Sequence, residues 1–260
     1  MLRPVPILVL AAASLAAYEP MASAFDTRSP TSHATRAAQS AAPASHHDID
    51  DDDDRDSSAP PSNTSAPRCR HQTAQPFLIR SNYLHHHGEH ARAIRYRTEQ
   101  YGHFEGFGES SWNAHPPRFY AERTTFMGLP VTLNRRVIPA LQCAEAEIRR
   151  TCSAHPYRPR SLAGIRFHNT YHSGEITNHA YGIAIDVDPD RNTCCHCVGR
   201  WAEAPLCRRE THAIWERMAM PECWVTAFER FGFYWLGHDT LQDTMHFEFL
   251  GDPDRIVRGH

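Results

Sequence analysis

Two short segments of this 260-residue chain carry ionisable side chains where a strand ordinarily carries apolar ones. In Gly182-Ile183-Ala184-Ile185-Asp186-Val187-Asp188, branched apolar residues alternate with small or acidic ones, the period-two signature of a strand. In Thr244 to Leu250, Met245, Phe247 and Phe249 share one face, and His246 and Glu248 share the other. Burying a charge is costly unless it is paired or bound to a metal, so Asp186, Asp188, His246 and Glu248 point to a shared polar site. His179 precedes Asp186 by an odd interval, but turn-prone Asn178 and Gly182 allow a bend that brings both to one side. Two histidine nitrogens and one aspartate oxygen make a three-donor zinc set that keeps a fourth position open, the pattern of catalytic zinc. Asp243, three residues before His246, is placed to take a proton from a water nucleophile and pass it to a leaving amine. Spacing alone leaves the set open, because nineteen histidines allow many trios.

The residue context narrows it. Thr177-Asn178-His179-Ala180-Tyr181-Gly182-Ile183-Ala184-Ile185-Asp186 resembles the S-x-H-x-x-G-x-A-x-D block of peptidase family M15, the D-alanyl-D-alanine carboxypeptidases and L-alanyl-D-glutamate endopeptidases. Asp243-Thr244-Met245-His246-Phe247-Glu248 resembles that family's second block, D/E-x-x-H, and Gly164-Ile165-Arg166 looks like the G-Y-R that precedes the first. The resemblance runs from about Ala140 to Gly251. It implies Zn2+ on His179, Asp186 and His246, catalysis by Asp243 and Arg166, and Arg166 and Thr177 at the substrate, with Thr177 where the family usually has Ser. The implied activity is that of a zinc metallopeptidase cutting a peptide bond in peptidoglycan stem peptides. The Asp form of the second block looks more like the endopeptidases than the Glu-bearing dipeptidases. The alternative is a non-catalytic zinc-containing binding or structural module, as in hedgehog-type domains of the same fold. The fold implied is α+β, hedgehog/DD-peptidase-like: a small antiparallel sheet with helices mainly on one side.

Around these blocks, Val137, Leu141, Ala144 and Ile148 recur at helical spacing within Leu133 to Arg150, with Pro139 in the first turn. Pro205 to Met218 and Trp224 to Phe231 are expected to be helical, the latter stopped by Gly232, and Phe233 to Leu236 to be a strand. Ala91 to Tyr101 shows no clear period, and Gly102 to Pro117 is rich in Gly, Pro and aromatics, so both read as irregular surface. Glu248 either orients His246 or sits at a solvated edge. Trp201, Trp224 and Trp235 are expected in the core, and the His85-His86-His87 run with His90 in a solvated loop.

At the scale of the chain, Arg3, the apolar run Ile7 to Ala17 and Met21-Ala22-Ser23-Ala24 match a secretory signal peptide over residues 1–24. Residues 25–67, rich in Ser, Ala and Pro with acids from Asp48 through Asp56, read as a disordered linker. Residues 68–260 are then one zinc peptidase domain, with a catalytic core at about 133–251. Eight cysteines behind such a leader favour disulfides, for Cys194 to Cys207 over a second, structural zinc site with His196, though connectivity is open, and Cys143 and Cys152 either bridge or reach other partners. The expectation is an exported protein, periplasmic or extracellular, with no membrane anchor. A net charge of -3 without a basic, aromatic-laced stripe argues against nucleic acid. The oligomeric state is not readable.

Overall fold

The computed structural model describes residues 69–83, 86–168, 176–197, 199–211 and 213–257, all within Pro61–His260. The expected leader and acidic linker lie outside the described residues, as does His85 of the histidine run. The remainder combines helices with small antiparallel sheets, the α+β class expected. In chain order the elements are α1 (Arg80–Tyr83), α2 (His87–Tyr101), β1 (Ala121–Phe126), β2 (Leu129–Asn134), α3 (Ile138–Thr151), β3 (Leu162–Ala163), α4 (Asn178–Tyr181), β4 (Ala184–Val187), α5 (Glu222–Glu229), β5 (Phe233–Trp235) and β6 (His246–Phe249).

The central sheet runs β3-β4-β6-β5, with every neighbouring pair antiparallel. Its register sets Asp186 directly opposite His246 and Ala184 opposite Glu248. Directly opposed residues of an antiparallel pair project to the same side. The alternate residues Ile185, Val187, Phe247 and Phe249 are buried in the main core with Leu141, Ala144 and Ile148 of α3 and Trp224, Val225 and Phe228 of α5. Phe228 stacks on Phe247 with ring centroids 4.1 Å apart. Trp224 and Trp235 are buried, as expected of core residues, whereas Trp201 is only partly buried and does not join the core.

Three expectations are corrected. Ala91 to Tyr101 belongs to helix α2, which begins at His87 and so takes in His90 as well. Ala93, Arg97 and Tyr101, four residues apart, are buried on one side of it. An arginine in the buried stripe hid the apolar period; Arg97 donates to the Leu78 carbonyl at 3.0 Å. Leu133 lies in β2, so the helix starts only at Ile138, with Pro139 in its first turn as expected. The β1–β2 hairpin turns at Met127 and Gly128, both with positive φ as a tight two-residue turn requires. Pro205 to Met218 forms two short 3-10 turns, Pro205–Arg208 and Ile214–Arg217. Neither fully buries a residue; Ile214 is only partly covered by the core and Trp215 stacks on Trp235, an apolar face too small to stabilise a longer helix.

Four disulfides join Cys69 to Cys143, Cys152 to Cys223, Cys194 to Cys197 and Cys195 to Cys207. Cys143 and Cys152 therefore reach other partners, and the Cys194–Cys207 group is oxidised as expected.

Candidate metal centre

The bend needed between His179 and Asp186 is the one-turn helix α4. Thr177 stands at its N-cap, its hydroxyl accepting from the His179 N–H at 3.4 Å. Gly182 ends it in the left-handed region at φ 72. The chain then enters β4, and His179 faces the same polar side of the sheet as Asp186 and His246.

Three donor atoms converge there. His179 Nε2 lies 3.1 Å from Asp186 Oδ1, His246 Nδ1 lies 2.8 Å from the same oxygen, and the two nitrogens are 3.1 Å apart. A tetrahedral zinc with ligands at ~2.0 Å separates its donors by about 3.3 Å, so a small outward movement accommodates the ion. All three residues are buried. The other atom of each group is also engaged: His179 Nδ1 with the Gly164 carbonyl at 2.6 Å, His246 Nε2 with Glu248 Oε1 at 3.1 Å, and Asp186 Oδ2 with Arg166 Nη2 at 2.6 Å. Outer partners of this kind fix the tautomer and aim of metal-binding groups. The donor chemistry and its outer partners fit one divalent ion.

The electrostatics follow from the packing. Burial lowers the pKa of His179, against the pull of Asp186. For His246 burial also opposes the charge, but hydrogen bonds to Asp186 and Glu248 outweigh it and raise the pKa well above the ordinary value. Burial alone would raise Asp186, yet His179 and His246 hold it well below the usual carboxylate range. Glu248 is likewise held low, its burial outweighed by His246, with Arg97 and Asn178 contributing. It is buried and paired, so the solvated-edge alternative does not hold.

Asp243 sits on the loop entering β6, where burial pushes its carboxyl up to about 7, His246 pulling the other way. Its Oδ1 is buried and has no hydrogen-bond partner among the described residues. Arg166 is tied to Asp186, with 35% of its side chain still exposed. Thr177 is buried in its capping role. Asp188, grouped with the site from sequence, turns away at φ 46 and pairs with Arg191 and Tyr157 instead. The Gly164 carbonyl, the Asn178 side chain and Arg97 were not anticipated. The Gly164-Ile165-Arg166 tripeptide carried a signal for the first, read only for its arginine. The Gly102–Pro117 stretch helps enclose a cavity of about 220 Å3, which Phe167 and Ala180, next to Arg166 and His179, also line.

Fold and site together define an α+β domain with a buried two-histidine, one-carboxylate cluster suited to a divalent metal. Residues 171–249 match the family model described as D-alanyl-D-alanine carboxypeptidase, which bears out the resemblance to peptidase family M15 and supports a peptidase of the carboxypeptidase kind. No curated protein and no solved structure matches the chain.

Proposed function

We propose that the protein is an exported zinc metallopeptidase that hydrolyses a peptide bond in peptidoglycan stem peptides, of the D-Ala-D-Ala carboxypeptidase or L-Ala-D-Glu endopeptidase type. The observation that carries the reading is the convergence of His179 Nε2, Asp186 Oδ1 and His246 Nδ1 within the family-matched segment. These three atoms would hold the ion. When bound, zinc supplies Lewis acidity toward a water nucleophile and the scissile carbonyl.

The other steps belong to the chain. Asp243, with a buried and unpartnered oxygen and a pKa near neutrality, takes the proton of the attacking water and delivers it to the leaving amine. Arg166, anchored on Asp186 yet partly exposed, orients the substrate carbonyl or carboxylate with the N–H groups that Asp186 does not engage. Thr177 contributes by holding the turn that aims His179. Export is supported by the leader-like residues 1–24 and by four disulfides, which persist in oxidising compartments. No helix among the described residues is long and apolar enough to cross a membrane.

The test is stem-peptide cleavage by wild type and Asp243→Asn at matched zinc content, with released ends identified by mass spectrometry. The substitution keeps shape but cannot take the proton, so zinc is expected to stay while the rate falls by at least ~10²-fold. Chelation is expected to abolish wild-type turnover. Equal rates in the two proteins would overturn the role of Asp243. Absence of cleavage by either would move the reading to a zinc-containing binding module.

A further inference from the structure

We propose that the Cys194–Cys197 disulfide is a positioning clasp for Asp243, holding the carboxylate in its working orientation without engaging its free oxygen. The inference rests on the reading of Asp243 as the proton-transfer group.

The clasp belongs to a short segment set between β4 and α5, which folds back along the Asp243 loop and is called the insert only for that position in the chain. Cys194 and Asp243 form an antiparallel bridge. The Thr193 carbonyl accepts from Thr244 N at 3.0 Å and from Thr244 Oγ1 at 2.9 Å. His196 N donates to the Leu241 carbonyl at 3.1 Å, and His196 Nδ1 lies 2.6 Å from the Thr240 carbonyl. Upstream, Asn192 pins the insert to the body of the domain: its Nδ2 donates to Val187 O at 2.8 Å, and its Oδ1 accepts from Ala219 N and Met220 N at 3.0 and 2.9 Å. The Sγ atoms of Cys194 and Cys197 and an Asp243 carboxylate oxygen all lie within 4.8 Å of one another.

The chemistry of the neighbour matters here. A carboxylate on a loop has two side-chain torsions, and beyond the pull of the Met245 backbone N–H on Asp243 it needs something to select one rotamer. Serine, asparagine or arginine beside it would do so by donating a hydrogen bond, occupying the lone pair that proton transfer uses. A disulfide has no hydrogen to donate. It fills space against the carboxylate, limits its rotation and leaves Oδ1 unpartnered, as observed. The backbone there is equally constrained: Gln242 has φ 50, rare for a side chain other than glycine, and is held by Arg217 Nη1 donating to its Oε1 at 2.8 Å. Misplacing a reacting group by ~1 Å can cost ~10²-fold in rate.

The experiment opens the clasp with Cys194→Ala/Cys197→Ala in the full chain, leaving Cys195–Cys207 intact, and repeats this in the Asp243→Asn background. Thr244→Val, which removes one hydrogen bond to the insert and no disulfide, serves as the milder variant should the double alanine fail to fold. Zinc content, kcat and KM for a stem peptide are measured for each. The expected result is unchanged zinc and KM with kcat reduced ~10- to 10²-fold for the open clasp, and less for Thr244→Val. In the Asp243→Asn background neither change should lower kcat further. Full kcat in the open-clasp protein, or an equal fall in both backgrounds, would overturn the clasp while leaving the role of Asp243 standing. Wild-type turnover by Asp243→Asn alone would overturn that role and the clasp with it.

Discussion

An imidazole offers two nitrogens, and which one faces a metal is decided by what holds the other. His179 gives Nδ1 to the Gly164 carbonyl and presents Nε2, whereas His246 gives Nε2 to Glu248 and presents Nδ1. The two rings therefore enter the cluster by opposite edges, and loss of an outer partner is expected to weaken metal binding in proportion to its hold. His179→Ala and His246→Ala each remove a donor and are expected to leave the purified protein essentially without zinc. Glu248→Gln keeps shape but loses the charge opposite His246, so zinc affinity should fall ~10- to 100-fold. Metal analysis and chelator competition measure both, and full affinity in Glu248→Gln would show that it does not orient His246. The grouping of His179, Asp186 and His246 was legible because strand periodicity put Asp186 and His246 on a polar face and the first family-like block added His179. The Gly164 carbonyl and the Cys194–Asp243 bridge were not, since each depends on a contact between distant segments that no local pattern encodes.

The element that converts these spacings into a site is α4, a single turn whose two ends are both specified by side-chain chemistry. Thr177 caps it, and Gly182 closes it with φ 72. A Cβ at position 182 would lie 2.8 Å from the Asn134 backbone nitrogen, which itself donates to the Gly182 carbonyl at 2.8 Å. Gly182→Ala thus combines left-handed strain with a backbone clash, and a destabilisation of at least ~1–3 kcal/mol is expected, with weaker zinc binding because His179 sits in the same turn. Gly128 provides the control: its φ is 83 but nothing lies within 4 Å of the added Cβ, so Gly128→Ala carries the conformational cost alone and should cost less. Urea unfolding of the two variants separates crowding from conformation, and equal losses would remove the role given to the Asn134 contact. Short strands and a bend at Gly182 could be read from sequence since their signals are local, although the helical turn it closes was not. Helix α2 could not, because Arg97 interrupts its apolar stripe, its burial made possible by partners distant in sequence such as the Leu78 carbonyl and the charge of Glu248.

Across the whole molecule, the family-matched segment, residues 171–249, supplies α4, β4, α5, β5 and β6, but the core they pack into is completed from outside it. Helix α3 packs on α5, and it is tied near its middle and at its C-terminal cap by disulfides spanning 74 and 71 residues: Cys143 to Cys69, and Cys152 to Cys223. Even cysteine number and a leader-like start indicated oxidation, yet pairing followed only once the fold had brought Cys69 beside α3. A crosslink closing a loop of that length acts mainly by restricting the unfolded chain, typically by ~2–4 kcal/mol. The cluster itself hangs on β4, β6 and α4, whose hydrogen bonds do not pass through Cys69 or Cys143. Cys69→Ala/Cys143→Ala is therefore expected to lower unfolding free energy by about that amount while the folded fraction keeps its zinc affinity and its turnover. Denaturant unfolding gives the first quantity, and metal titration well below the transition gives the second. Loss of zinc affinity in a fully folded double variant would mean that α3 holds the site directly, and unchanged stability would mean that the Cys69 segment is already ordered by its bridge to Val257.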